Sequence, residues 1–292
     1  MTFVERLIDL RFILGTGTFG ETGEDTVNVT GLRVTAKILK AGGPSMGTLD
    51  MTVFGLTPSI INQLSTLGLV WTEVRRNTVI VMAYDAGASP AVVFQGTITN
   101  AWGGFEEQPE VGFHVEAHTG LIEAVMVAQP ISTTGSTKVA DIMSSLATTM
   151  GLSFENSGVT GVLPISYFWG SPRNQAQAAA KEAGINWTID NGVLAIWPRG
   201  GSRGGLIPVV SDADGKINYP SYTSKGIFVR TLFNPAIGFG QTVQVESSLK
   251  PATGPWIVYS LDYNLDAMMP GGKWEVNFSA TRPGLGPVVG RP

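Results

Sequence analysis

The chain has 292 residues, 43% apolar and only 14% charged, with 19 basic and 23 acidic side chains and a net charge of −4. Average soluble domains carry roughly 25% charged residues, and disordered chains combine high net charge with low hydrophobicity, so this composition excludes disorder and predicts extensive buried interfaces. It supplies no basic surface for general nucleic-acid binding, and the absence of cysteine excludes disulfides, thiolate chemistry and cysteine-ligated metals.

Glu5, Arg6, Asp9 and Arg11 interrupt the apolar core that a signal peptide needs. No stretch reaches the 18 or so consecutive apolar residues of a membrane helix. The expectation is a soluble chain, made without a leader, that works in an assembly.

Residues 1–128 read mostly as strands. An apolar run at 7–14 is followed by Val27, Val29, Leu32, Val34, Ala36 and Ile38 near period two, with a break at Gly31. Leu49, Met51 and Val53 alternate with polar neighbours, and further strand patterns cover 78–84, 91–99 and 111–117. Glycine-rich turns separate them, as an antiparallel barrel or sandwich requires. One helix interrupts: Thr57 caps it, Pro58 suits its first position, Ile60, Ile61, Leu64 and Leu67 share a face, and Gly68 ends it.

Residues 129–200 change character to a small α+β domain. Ser136 or Thr137 is placed to cap a helix with the apolar face Val139, Ile142, Met143, Leu146 and Met150, ended by Gly151. Ser171-Pro172 starts a second helix that is rich in alanine (Ala176, Ala178, Ala179, Ala180) and ends at Gly184. Asn191-Gly192 then separates two strand patterns, the strongest short hairpin signal. The flexible run 200–205 leads into residues 201–281, which read as a second small barrel with strands at 226–232, 242–247, 256–263 and 274–280. A Pro/Gly-rich tail covers 282–292. The fold class is therefore mainly β with an α+β insert: two small antiparallel β-barrels flanking a small α+β domain.

No motif carries convincing chemistry. Gly15-Thr16-Gly17-Thr18-Phe19-Gly20 matches G-x-G-x-x-G and resembles a protein-kinase glycine loop, but the sequence has no H-R-D and no D-F-G, and no helix pattern follows for a dinucleotide fold. His114, Glu116 and His118 share one strand face; the two histidines sit about 13 Å apart, too far for one metal ion without another strand. Asp212-Ala213-Asp214-Gly215 starts like a calcium loop, but the glycine and glutamate that follow are out of place, which leaves a β-turn. Glu106-Glu107 leaves glycosidase chemistry formally open, since facing carboxylates cannot be read from sequence. The seven tryptophans, Trp187 and Trp197 among them, suit cores and interfaces better than a sugar platform. No catalytic, cofactor-binding or metal residue is assigned, and no cofactor.

Four stretches carry a resemblance over most of the chain. They are Phe54-Gly55-Leu56 with residues 61–66; Gly170-Ser171-Pro172 with 184–187 and 191–198; residues 232–235 with Gly240 and 243–247; and residues 259–266 with 270–274. In this order they resemble the baseplate hub proteins of contractile-tailed bacteriophages, which are similar to the hub portion of type VI secretion spikes. The resemblance implies a structural virion protein, not an enzyme: a homotrimeric ring whose two barrels per chain match the sixfold tail tube above and seat a trimeric central spike below. It implies other baseplate proteins and the tape-measure protein as further neighbours, with assembly in the host cytoplasm. It implies no membrane segment and no specific nucleic-acid contact, and the acidic balance would keep DNA from sticking in a ring channel. The runner-up readings are a carbohydrate-binding β-rich tail module and a spike-associated glycosidase.

Overall fold

A computed structural model describes residues 4–20, 23–66, 76–104 and 111–284. The chain is mainly β. The first strands are β1 (Arg6–Ile13), β2 (Thr26–Val29), β3 (Arg33–Lys40) and β4 (Thr48–Phe54), followed by α1 (Pro58–Leu64). Next come β5 (Thr78–Asp85), β6 (Ala91–Gly104), β7 (Gly112–His118) and α2 (Leu121–Val125). The middle of the chain forms β8 (Ile131–Ser132), β9 (Thr137–Lys138), α3 (Val139–Met150), β10 (Ser153–Asn156), β11 (Val162–Leu163), β12 (Tyr167–Phe168), α4 (Pro172–Ala183), β13 (Ile185–Asp190) and β14 (Val193–Pro198). The last part holds β15 (Val209–Val210), β16 (Lys216–Thr223), β17 (Gly226–Leu232), β18 (Thr242–Val245), β19 (Gly254–Ala267) and β20 (Trp274–Thr281). Among the described residues, no helix is long and apolar enough to cross a membrane.

The chain divides into two compact units. The first comprises Met1–Leu39, Gly47–Ile122 and Asp262–Glu275; the second comprises Lys40–Met46, Glu123–Leu261 and Val276–Pro292. In the first unit the strand order is β19-β3-β4-β7-β6-β5-β1-β2. Period-two alternation puts Val34, Ala36, Ile38, Leu49, Met51, Val53, Phe113, Val115 and Ala117 on one face, and all of them are buried. In the second unit β16, β17, β20, β19 and β18 follow one another, and β15 pairs with β18 in parallel. These hydrogen-bonded ladders are open at β16 and β2 among the described residues, so they do not themselves close a barrel. Two short pairings are parallel, β10 with β14 in the insert and β15 with β18, the second a departure from the antiparallel barrel expected for 201–281.

The insert's core is formed by α3 and α4 against the sheet β10-β14-β13, with Met143, Leu146, Ala176, Ala179, Ala180, Trp187, Leu194 and Ile196 buried together. The small alanines of α4 allow close helix packing; Ala178 is the exception and lies exposed. Ser171 caps α4 by accepting from the Asn174 amide, and Gly184 ends it at φ 64°. Asn191 and Gly192 take φ 49° and 76°, the two positive values of the expected tight hairpin turn.

Two helix boundaries differ from expectation. α1 ends at Leu64, because the Ser65 hydroxyl donates to the Ile61 carbonyl at 2.6 Å and the Thr66 amide is drawn to Ala101. Leu67 and Gly68 lie outside the described residues. At α3 the N-cap is Lys138, without a side-chain cap; Ser136 and Thr137 do not serve. Thr137 pairs instead with Leu163 in β9–β11, and the Val139 amide donates to Gly161.

Candidate assembly site

Among the described residues, the sequence motifs lie apart from one another in the fold. The Gly15–Gly20 stretch is the loop of the β1–β2 hairpin. Its Phe19 is buried, the Phe19 amide donates to Glu24, and the Gly15 amide donates to Asn77 Oδ1 at 3.0 Å. A strand follows this loop, so it has none of the helix N-terminus that holds a phosphate. Two stretches, 43–47 and 200–204, match G-x-S-x-G, contrary to the expectation that the sequence holds no such motif. Neither forms a nucleophile elbow, since each is a loop that leads to no helix.

His114 and His118 take neighbours on the adjoining strands. His114 stacks on Trp102 at 5.1 Å and lies 3.0 Å from Thr52 Oγ1. His118 Nδ1 lies 3.5 Å from Thr99 Oγ1. The ladder registers place Lys37, Asp50, Glu116 and Asn100 in one row across β3, β4, β7 and β6. Beside this row is a cavity of 270 Å³ lined by Thr35, Lys37, Asp50, Asn264, Asp266 and Lys273, where two cations balance two carboxylates. Among the described residues no group of three or more His, Asp or Glu is placed to hold a metal ion. Residues 212–215 form a turn in which the Ser211 hydroxyl donates to Asp214 and Lys216 pairs with Asp212 at 3.2 Å. Trp187 and Trp197 are buried, the first under Arg173 and the second edge-on to Phe239. Neither offers a face to a sugar. Glu106-Glu107 lies outside the described residues.

What the second unit does hold is a buried ionic network. Lys40 Nζ, 4% exposed, donates to Asp190 Oδ1 at 2.5 Å and to Asn191 Oδ1 at 2.8 Å. Arg203 stands 3.6 Å from the other Asp190 oxygen and grips Glu155 through Nη2 at 2.8 Å and Nε at 3.3 Å. Arg173 Nη2 donates to the carbonyl of Pro44 at 2.9 Å, and Thr188 Oγ1 donates to Ala41 at 2.7 Å. The segment Lys40–Met46 is thereby pinned to β13 and α4. No local motif announces this network, because its members are far apart in sequence. The alternation of β3 was the available signal, since it turns Lys40 to the buried side.

Burial would raise the Glu155 carboxyl, but the Arg203 hydrogen bonds and charge win, and its pKa is held below the usual 4.5. A lowered carboxylate pKa gives stability that is present above pH 4.5 and lost as pH falls through the folded-state value. We expect the wild-type denaturant midpoint to fall more steeply below pH 4.5 than that of Glu155→Gln. Equal slopes would show that Arg203 does not favour the ionised form.

The exposed surface of the insert is the remaining site. Along residues 162–169 the chain alternates, with Leu163, Ser166 and Phe168 buried and Val162 (59%), Ile165 (74%), Tyr167 (63%) and Trp169 (72%) exposed. Exposed large apolar side chains in succession mark association surfaces rather than ordinary solvent faces.

The architecture is mainly β, with an outward apolar strip on the insert. The chain resembles the 43 kDa tail protein of prophage MuSo2 from Shewanella oneidensis, with TM-score 0.60, 11% identity and coverage of 96% of this chain and 97% of that one. It resembles a tail protein from Neisseria meningitidis equally in extent, with TM-score 0.61, 8% identity and the same 96% and 97% coverage. It also resembles the c3393 protein of E. coli, a type VI secretion component, with TM-score 0.57, 10% identity and coverage of 86% and 74%. No curated protein matches its sequence. Residues 15–268 match the baseplate hub gp41 family, and the chain belongs to that family. It is a structural protein of the phage tail baseplate hub.

Proposed function

We propose that the chain forms a homotrimeric ring that adapts the sixfold tail tube to a threefold central spike. Residues 1–128 and 201–281 act as two tube-like barrel modules per chain, so three copies present six near-equivalent faces to the tube. Residues 129–200 form the insert between them, and other baseplate proteins are further partners. The ring works without cofactor, metal or catalytic residue, is assembled in the host cytoplasm, and touches the tape-measure protein without reading nucleic-acid sequence. The family match over residues 15–268 carries this reading. The type VI secretion component whose fold this chain shares lends support for a spike-side partner. Light scattering of the purified chain, followed by cryo-electron microscopy along the particle axis, tests it. A threefold ring with six similar β modules is expected. A monomer at micromolar concentration, also with tube and spike proteins present, would overturn the reading.

A further inference from the structure

The insert's apolar strip is bordered by an unusual absence of charge. Residues 124–137 and 156–172 contain no Asp, Glu, Lys, Arg or His. These two stretches pair with each other, β8 with β12 and β9 with β11, so they form one lobe poor in charge, with the exposed Lys138 of β9 opposite Val162. On this lobe stand Val162, Ile165, Tyr167 and Trp169, each more than half exposed, and clustered exposed apolar side chains mark interaction sites. A second charge-free stretch of the same unit, residues 204–211, exposes Leu206 (76%) and Ile207 (56%).

We infer that the strip Val162–Ile165–Tyr167–Trp169 docks on the Leu206–Ile207 patch of a second copy of this chain. The inference rests on the ring reading above. Each copy carries a net charge of −4, so identical copies repel at long range. They approach at least cost through surfaces that carry few ionisable groups. The one charge beside the strip, Lys138 opposite Val162, is a cation, which suits contact with a second acidic copy. Two distinct patches on one chain also suit a ring, in which every contact is head-to-tail rather than self-complementary. Aromatic enrichment with charge depletion is the composition of an interface centre.

The test uses the full chain. Tyr167→Glu/Trp169→Glu is compared with wild type by light scattering, with circular dichroism as the check on folding. A wild-type oligomer that becomes a folded monomer in the variant supports the contact. A variant that stays oligomeric overturns the contact and leaves the ring reading standing. A wild type that is monomeric throughout overturns both. Loss of spike or tube binding with the oligomer intact would reassign the strip to another protein and overturn the second-copy contact. Should the double variant unfold, the cysteine-free chain offers a gentler probe. Ile165→Cys and Ile207→Cys are each labelled with a maleimide in the oligomer and after dilution to monomer. Both thiols should label several-fold more slowly in the oligomer, and equal rates at either position would overturn the contact.

Discussion

Replacing Asp190 with alanine is expected to lower the unfolding free energy by about 3–5 kcal/mol, because it leaves Lys40 charged, buried and stripped of its anionic partner. Burial already lowers the Lys40 pKa below its usual 10.5, and Asp190 is what opposes that shift. Arg203, 3.6 Å from Asp190, adds a second cation with no anion between them in the variant. Asn191 Oδ1 remains as an acceptor for Lys40. The sign of the pH response follows. A lysine with a lowered folded-state pKa binds fewer protons folded than unfolded between that value and 10.5, so stability rises with pH across that window. Asp190→Ala should therefore recover part of its loss as pH is raised toward 10.5. Lys40→Met/Asp190→Leu, which removes both charges, should be less destabilised than Asp190→Ala alone. Denaturant unfolding of the three proteins at two pH values checks this, and an Asp190→Ala loss below about 1 kcal/mol, typical of exposed pairs, would show that water reaches the network.

The strands and helices were legible where one local signal sufficed. The alternation in β3, β4 and β7 identified the buried face, since each of those strands has one face in the core. The Ser171-Pro172 start and Gly184 end of α4, and the Asn191-Gly192 turn, follow from backbone requirements that few residues meet. Less legible was anything decided by distant partners. Asp262–Glu275 belongs to the first unit although its neighbours in sequence belong to the second. Strand pattern cannot reveal this, because β19 looks the same whichever strand lies beside it. The edge strand β16 escaped for a different reason. Pro220 and the register shift between Ile217 and Ser221 break its alternation. At the candidate site, the four exposed side chains lay in a stretch too short and too interrupted to read as strand, so the burial of Leu163, Ser166 and Phe168 between them became visible only in the fold. The scarcity of charge around them can be read directly from residues 124–137 and 156–172.

Among the described glycines, Gly226→Ala should be the most damaging single-methyl change, with an expected loss of about 4 kcal/mol or more, or failure to fold. Gly226 opens β17 at φ 152°, and a Cβ there would lie 2.0 Å from the Ala280 carbonyl oxygen of β20. Two costs are combined in that number, a backbone conformation that favours glycine and a clash with backbone that cannot rotate away. Gly151→Ala separates them. Gly151 ends α3 at φ 71°, and a Cβ there would meet nothing within 4 Å, so that variant carries the conformational cost alone, about 1 kcal/mol. The difference between the two variants measures the close approach of β17 to β20. That approach keeps Val229 and Phe278 buried in the second unit, so widening it exposes apolar surface as well as stretching the ladder. Chemical denaturation of both variants beside wild type decides the point. Equal losses would mean that β17 shifts to admit the methyl group and that the close approach is not required for the fold.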